Sequence, residues 1–148
     1  MIVVIEGEPI AKKRSRTFLL KGKICHYNSQ SNQERDVKNI MLDAIREAFN
    51  GGNRELAIEA SNLANGTLFE VTLTFCMPIP KSFSKSKKKA ILDGSDHYNN
   101  VPDVDNLVKF YLDCANEILF PDDRFIVALH AKKVYSENPR TIMEVKPF

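Results

Sequence analysis

Residues 101–119 read VPDVDNLVKFYLDCANEIL, and their spacing decides how the chain folds. Val104, Leu107, Val108, Tyr111, Leu112, Ala115 and Leu119 recur at i, i+3, i+4 and i+7, the period of one buried helical face. Asp105, Lys109, Asp113 and Asn116 fall on another face and predict a solvent side. Pro102 disfavours helix before it, so extended chain turns into helix around Asp103 and Asp105. Pro121-Asp122-Asp123 marks a turn beyond it.

Working outward, Gln33 to Phe49 carries Val37, Ile40, Met41, Ala44, Ile45 and Ala48 at the same helical spacing and stops at Asn50-Gly51-Gly52. Thr67 to Met77 alternates residue by residue, the pattern of a half-buried strand. Met1 to Glu6 is β-branched and reads as a buried strand. Arg124 to Tyr135 and Thr141 to Lys146 read as two more, separated by Ser136-Glu137-Asn138-Pro139. Thr17 to Leu20 and Lys23 to Tyr27 fit a short hairpin turning at Lys21-Gly22. Ser82 to Leu92 reads as a Lys-rich helix capped by Ser82 or Ser84, whereas Arg54 to Asn65 fits either a helix or an ordered loop. The order βαβαββ predicts an α+β domain over residues 1–148, with one mixed sheet and helices packed on it.

At 148 residues and 43% hydrophobic content, the chain suits one core and one main site. Its three cysteines, Cys25, Cys76 and Cys114, have no CxxC or Cys/His pattern, which argues against a zinc site or a disulfide framework. The apolar run Ile2-Val3-Val4-Ile5 is too short for a signal core or a membrane span, so a cytoplasmic protein is expected.

Net charge is only +2, but its distribution is uneven. Residues 1–30 hold 6 basic and 2 acidic groups, residues 78–100 hold 5 and 2, and residues 101–123 hold 1 and 6. An acidic centre between basic stretches suits a phosphate-rich partner held by cations around a metal held by carboxylates; ordinary solvated surface charge gives the same counts. The cations concerned are Lys12, Lys13, Arg14 and Arg16, and Lys85, Lys87, Lys88 and Lys89.

Asp103 and Asp105 stand two residues apart where extended chain becomes helix, a spacing from which both carboxylates can enter one space. Mg²⁺ takes a few carboxylate oxygens and keeps several waters, so this pair and a third acid suffice to hold it. Lys109 follows Asp105 by one helical turn, near enough to meet a bound phosphate. The same spacing also fits a helix cap and a surface ion pair, and the residues alone leave both readings open. His97 lies in the adjoining loop without an evident partner, and His26 and His130 read as structural. No serine or cysteine has the base and orienting partner of a nucleophile.

The run from Pro102 to Lys109, then Leu112-Asp113, Asp122-Asp123 and Ile126, resembles the signature of RusA-type Holliday junction resolvases. Pro9 to Arg16 and Tyr135 to Ile142 resemble other parts of that family. The resemblance implies that Asp103, Asp105 and Asp123 bind a catalytic Mg²⁺, that Lys109 is the catalytic lysine, and that Lys133 matches a further lysine placed on DNA. It also implies a homodimer that resolves four-way junctions by paired symmetric nicks in recombination and repair. The chain departs from the family at Asn100-Val101, where many members have a basic residue, and at Phe125, where a polar one is frequent. A non-catalytic nucleic-acid-binding protein is the alternative, separated from the first by metal-dependent cutting.

Overall fold

Strand β4 (Phe69–Pro78) organises the molecule, because it is hydrogen-bonded on both sides. In the computed structural model, which describes residues 1–51 and 67–148, the sheet order is β1 (Ile2–Glu6), β6 (Arg140–Pro147), β4, β5 (Ile126–Ser136). Pairs β1/β6 and β6/β4 are antiparallel while β4/β5 is parallel, so the sheet is mixed as expected. A parallel pair needs a crossover, and here it contains α2 (Lys85–Leu92) and α3 (Val104–Ala115). Helix α1 (Ser31–Asn50) lies between β3 and the 52–66 segment; the expectation for Arg54 to Asn65 falls outside the described residues.

Alternation on the strands produces the core. Phe69, Val71, Leu73, Phe75 and Met77 of β4, with Val3 and Ile5 of β1 and Met143 and Val145 of β6, point to one face and are buried. Helix α1 covers them with Val37, Met41 and Ala48, and α3 with Leu107, Phe110, Tyr111, Cys114 and Ala115. Phe75 meets the Tyr111 ring at 5.7 Å, and truncating either to alanine would cost about 3–5 kcal/mol. Phe110 and Cys114 belong to this face, turning it slightly from the one the periodicity predicts, because α3 meets both the sheet and α1.

Two boundaries differ from expectation. Helix α3 ends at Ala115, not Leu119: Glu117 takes a left-handed φ of 63° and Asn116 bridges to Phe120, yet Leu119 is still buried. Helix α2 begins at Lys85, and Ser84 is its cap, accepting from the Lys87 amide. The hairpin β2 (Arg16–Leu20) and β3 (Lys23–Tyr27) forms as predicted and makes a separate two-stranded sheet. No helix among the described residues is long and apolar enough to cross a membrane.

Candidate active site at the two ends of α3

Asp103 occupies the N-cap position of α3 in extended conformation, and its side chain makes no capping hydrogen bond. A cap works by accepting from the amides two or three residues on, so capping does not account for this carboxylate. Asp105 lies in the first helical turn, with Oδ2 3.4 Å from Lys109 Nζ. Both side chains are more than half exposed, where such a pair contributes about 0.3–0.5 kcal/mol, so neither is held there tightly.

The turn before Asp103 is fixed from β5. Register pairs Lys133 with Phe75, which puts its side chain on the helix-bearing face of the sheet. Its Nζ donates to the carbonyls of Asn100 at 2.8 Å and Pro102 at 2.9 Å, and lies 5.0 Å from the Tyr98 ring centre. Tyr98 meets the Tyr135 ring of β5 at 4.9 Å, tilted by 58°, and its hydroxyl donates to the Val101 carbonyl at 2.8 Å. Burial, aided by Tyr135 and Glu8, raises the Tyr98 pKa and keeps this hydroxyl a donor. Tyr135 also meets Phe83 edge-on at 6.0 Å, with Lys87 over the Phe83 ring at 4.2 Å. The Lys-rich helix and the Asp103 turn are thereby joined through one aromatic row.

At the other end of α3 the acidic pair divides its labour. Asp122 caps the short 3-10 helix Asp123–Phe125 by accepting from the Arg124 amide at 2.9 Å. Asp123 is exposed and has no such bond. Twelve helical residues lie between the two ends, about 18 Å at 1.5 Å per residue. Among the described residues, no three His, Cys, Asp or Glu side chains come close enough to share a metal ion. Asp103 and Asp105 offer the hard oxygen donors that Mg²⁺ takes, but Asp123 of the same chain does not join them.

The basic residues separate into used and open cations. Lys12 bridges Glu34 of α1 at 2.8 Å and Asp113 of α3 at 2.9 Å. Burial pulls its pKa down, but the two carboxylates outweigh burial and hold it above its ordinary value. Its backbone amide donates to the Asn106 carbonyl at 2.8 Å, so the loop is docked on the first turns of α3. Gln30, 1% exposed and unremarked in the sequence, accepts from the Lys13 amide at 2.6 Å and donates to the Ala11 carbonyl at 2.9 Å. Lys13, Arg14, Lys85 and Lys89 project into solvent, whereas Lys88 reaches the Lys81 carbonyl at 3.3 Å and Lys87 lies 3.9 Å from Asp96. Arg16 opens β2, and its side chain is outside the described set. His97 is exposed, and His130 is no core residue but an exposed partner of Glu70 at 3.4 Å.

In comparison with known proteins, residues 6–146 match the family described as Endodeoxyribonuclease RusA. The chain is also 28% identical over 144 residues to Uncharacterized protein YqaN of Bacillus subtilis (strain 168), covering 96% of this chain and 92% of that protein. The match runs from the end of β1 through the Asp103 turn and both ends of α3 almost to the end of β6. This chain belongs to the RusA endodeoxyribonuclease family.

Proposed function

We propose that this protein is a Mg²⁺-dependent endonuclease that resolves four-way DNA junctions as a homodimer, making paired nicks during recombination and repair in the cytoplasm. One observation carries the reading: Asp103 stands at a helix N-cap without capping, beside an exposed Asp105 and Lys109. Asp103, Asp105 and Asp123 would hold the ion. When bound, it supplies polarisation of the scissile phosphate and a water of lowered pKa. Lys109, loosely paired with Asp105, turns to the phosphate and stabilises the charge that develops there. Lys133 keeps the Asp103 turn in place while this happens, and the open cations Lys13, Arg14, Lys85 and Lys89 hold the DNA backbone.

The distance between the ends of α3 gives the dimer a chemical reason. Among the described residues strand β5 is an edge with one neighbour, and Val127 and Leu129 are exposed along it. Edge strands that keep apolar groups in water invite pairing with another strand. A two-fold copy across β5 reverses the strand, which carries Asp123 of one copy toward the end where the other presents Asp103 and Asp105. Each metal site is then completed by both copies, and two sites arise together, as paired nicks require.

The same separation of acids favours the second reading, a non-catalytic nucleic-acid-binding protein. Labelled four-way junctions incubated with Mg²⁺ or with EDTA decide between them. Paired nicks with Mg²⁺ alone are expected; junction binding without metal-dependent nicks would establish the second reading.

A further inference from the structure

The β2–β3 hairpin stands apart from the main sheet and exposes apolar side chains on both of its faces. Register places Leu19 opposite Ile24 on one face, where they are 74% and 67% exposed. Phe18, Leu20 and Tyr27 share the other face and are also exposed. An isolated two-stranded hairpin gains little stability in water, and these residues bury little within it, so its own folding does not explain them. The tip is tight: Lys21 and Gly22 both have positive φ, 48° and 76°, as a two-residue hairpin turn requires.

Charge identifies the occupant. Residues 10–27 contain six lysines and arginines and no acid; Lys12 is bridged to Glu34 and Asp113, and Arg16, Lys21 and Lys23 belong to the hairpin and its turn. Apolar side chains among cations suit nucleic acid, where the cations meet phosphates and the apolar groups meet the faces of unstacked bases. An intact duplex hides those faces; a branch point offers them. The segments that flank the hairpin are also tied beside the site: Gln30 joins Ala11 and Lys13, Lys12 bridges Glu34 and Asp113, and the Lys12 amide donates to the carbonyl of Asn106, the neighbour of Asp105.

We propose that the β2–β3 hairpin is a wedge that seats on the exposed bases at a DNA branch point and sets the distance from that point to the phosphate cut at Asp103 and Asp105. It rests on the junction-nuclease reading and deepens it: selection of branched over linear DNA resides in the hairpin, and chemistry resides at α3.

The test uses the full chain carrying Leu19→Thr with Ile24→Thr, which removes apolar surface, keeps strand preference and leaves every cation in place. The probes are a four-way junction with 2-aminopurine beside the branch point and a linear duplex of equal length, both in EDTA so that binding is read without cutting. The wild type should raise 2-aminopurine emission on the junction. The double variant should abolish that rise and lose about tenfold of the junction-over-duplex preference, with an unchanged salt slope because no phosphate contact is lost. Phe18→Thr, on the opposite face, should act in the same direction and guards against a local failure to fold. A junction preference and emission rise that survive in both variants overturn the wedge alone. A change from dimer to monomer by light scattering also overturns it, since the hairpin would then be an arm between copies. A wild-type chain that binds junction and duplex equally overturns the wedge and the junction reading together.

Discussion

The two ends of α3 present aspartates under different constraints. At the N-terminal end, Asp103 holds the cap position without capping, and its turn is fixed from outside by Lys133 and Tyr98. At the C-terminal end, Asp122 does the local structural work and Asp123 beside it is left open. The difference teaches that identical side chains in short acidic motifs are told apart by what their oxygens accept. A capping acid is occupied by a backbone amide; the acid whose surroundings hold it in place without that bond is available to a ligand.

The largest expected effect tests this division directly. Asp103→Asn, Asp105→Asn and Asp123→Asn should each lower junction cutting by at least about a hundredfold while junction binding persists, because size is kept and the charge proposed to hold the metal is lost. Asp122→Asn should cut within a few-fold of wild type, since asparagine caps about as well as aspartate. Equal losses at Asp122 and Asp123, by nicking assay with circular dichroism on the same samples, would erase the distinction between them.

Mixing two inactive chains sharpens the comparison between ends. If each site draws Asp103 from one copy and Asp123 from the other, a hybrid of Asp103→Asn and Asp123→Asn chains has one doubly damaged site and one intact site. Random exchange then restores roughly a quarter of the sites, read as single nicks rather than paired ones. A site built within one chain gives no recovery in the mixture.

Lys133→Met should have a smaller effect. Loss of the tether to Asn100 and Pro102 should lower cutting about tenfold and weaken Mn²⁺ binding to the chain, while the salt slope of junction binding stays as in wild type. A slope reduced by about one, with metal binding intact, would place Lys133 on the DNA instead. Smallest of all, Lys12→Met should cost about 1 kcal/mol in urea unfolding, because it leaves Glu34 and Asp113 without their shared cation. The Lys12 pKa is raised in the folded chain, so this contribution is complete below the ordinary lysine pKa of 10.5 and disappears only as pH climbs through the higher folded value.

Local patterns carried much of the fold. The helical spacing of Val37 and Met41, the alternation of β4 and the Lys21-Gly22 turn each predict the element found there, because neighbouring residues determine those features. The end of α3 was not legible, since Leu119 stays buried after the backbone has turned and prolongs the apolar period beyond the helix. The motif around Asp103 and Asp105 could be read as a resemblance, but the open state of its carboxylate could not. Nor could the partners of Lys12 and Lys133, which come from 22 to 101 and from 31 to 33 residues away in sequence. Charge runs show how many cations exist; tertiary contacts decide which ones remain open to phosphate.

The parallel pairing of β4 with β5 has a consequence for how the protein is made. Every residue between Pro78 and Ile126, including the Asp103 turn, lies inside that crossover. Closing so long a loop before its contacts form is slow, so non-local pairing of this kind is completed late in folding. Lys133 belongs to the closing strand, and the Asp103 turn lacks its tether until that strand docks. A chain still emerging from the ribosome therefore carries the acids without their arrangement, and the proposed nuclease site comes into being only with the finished fold.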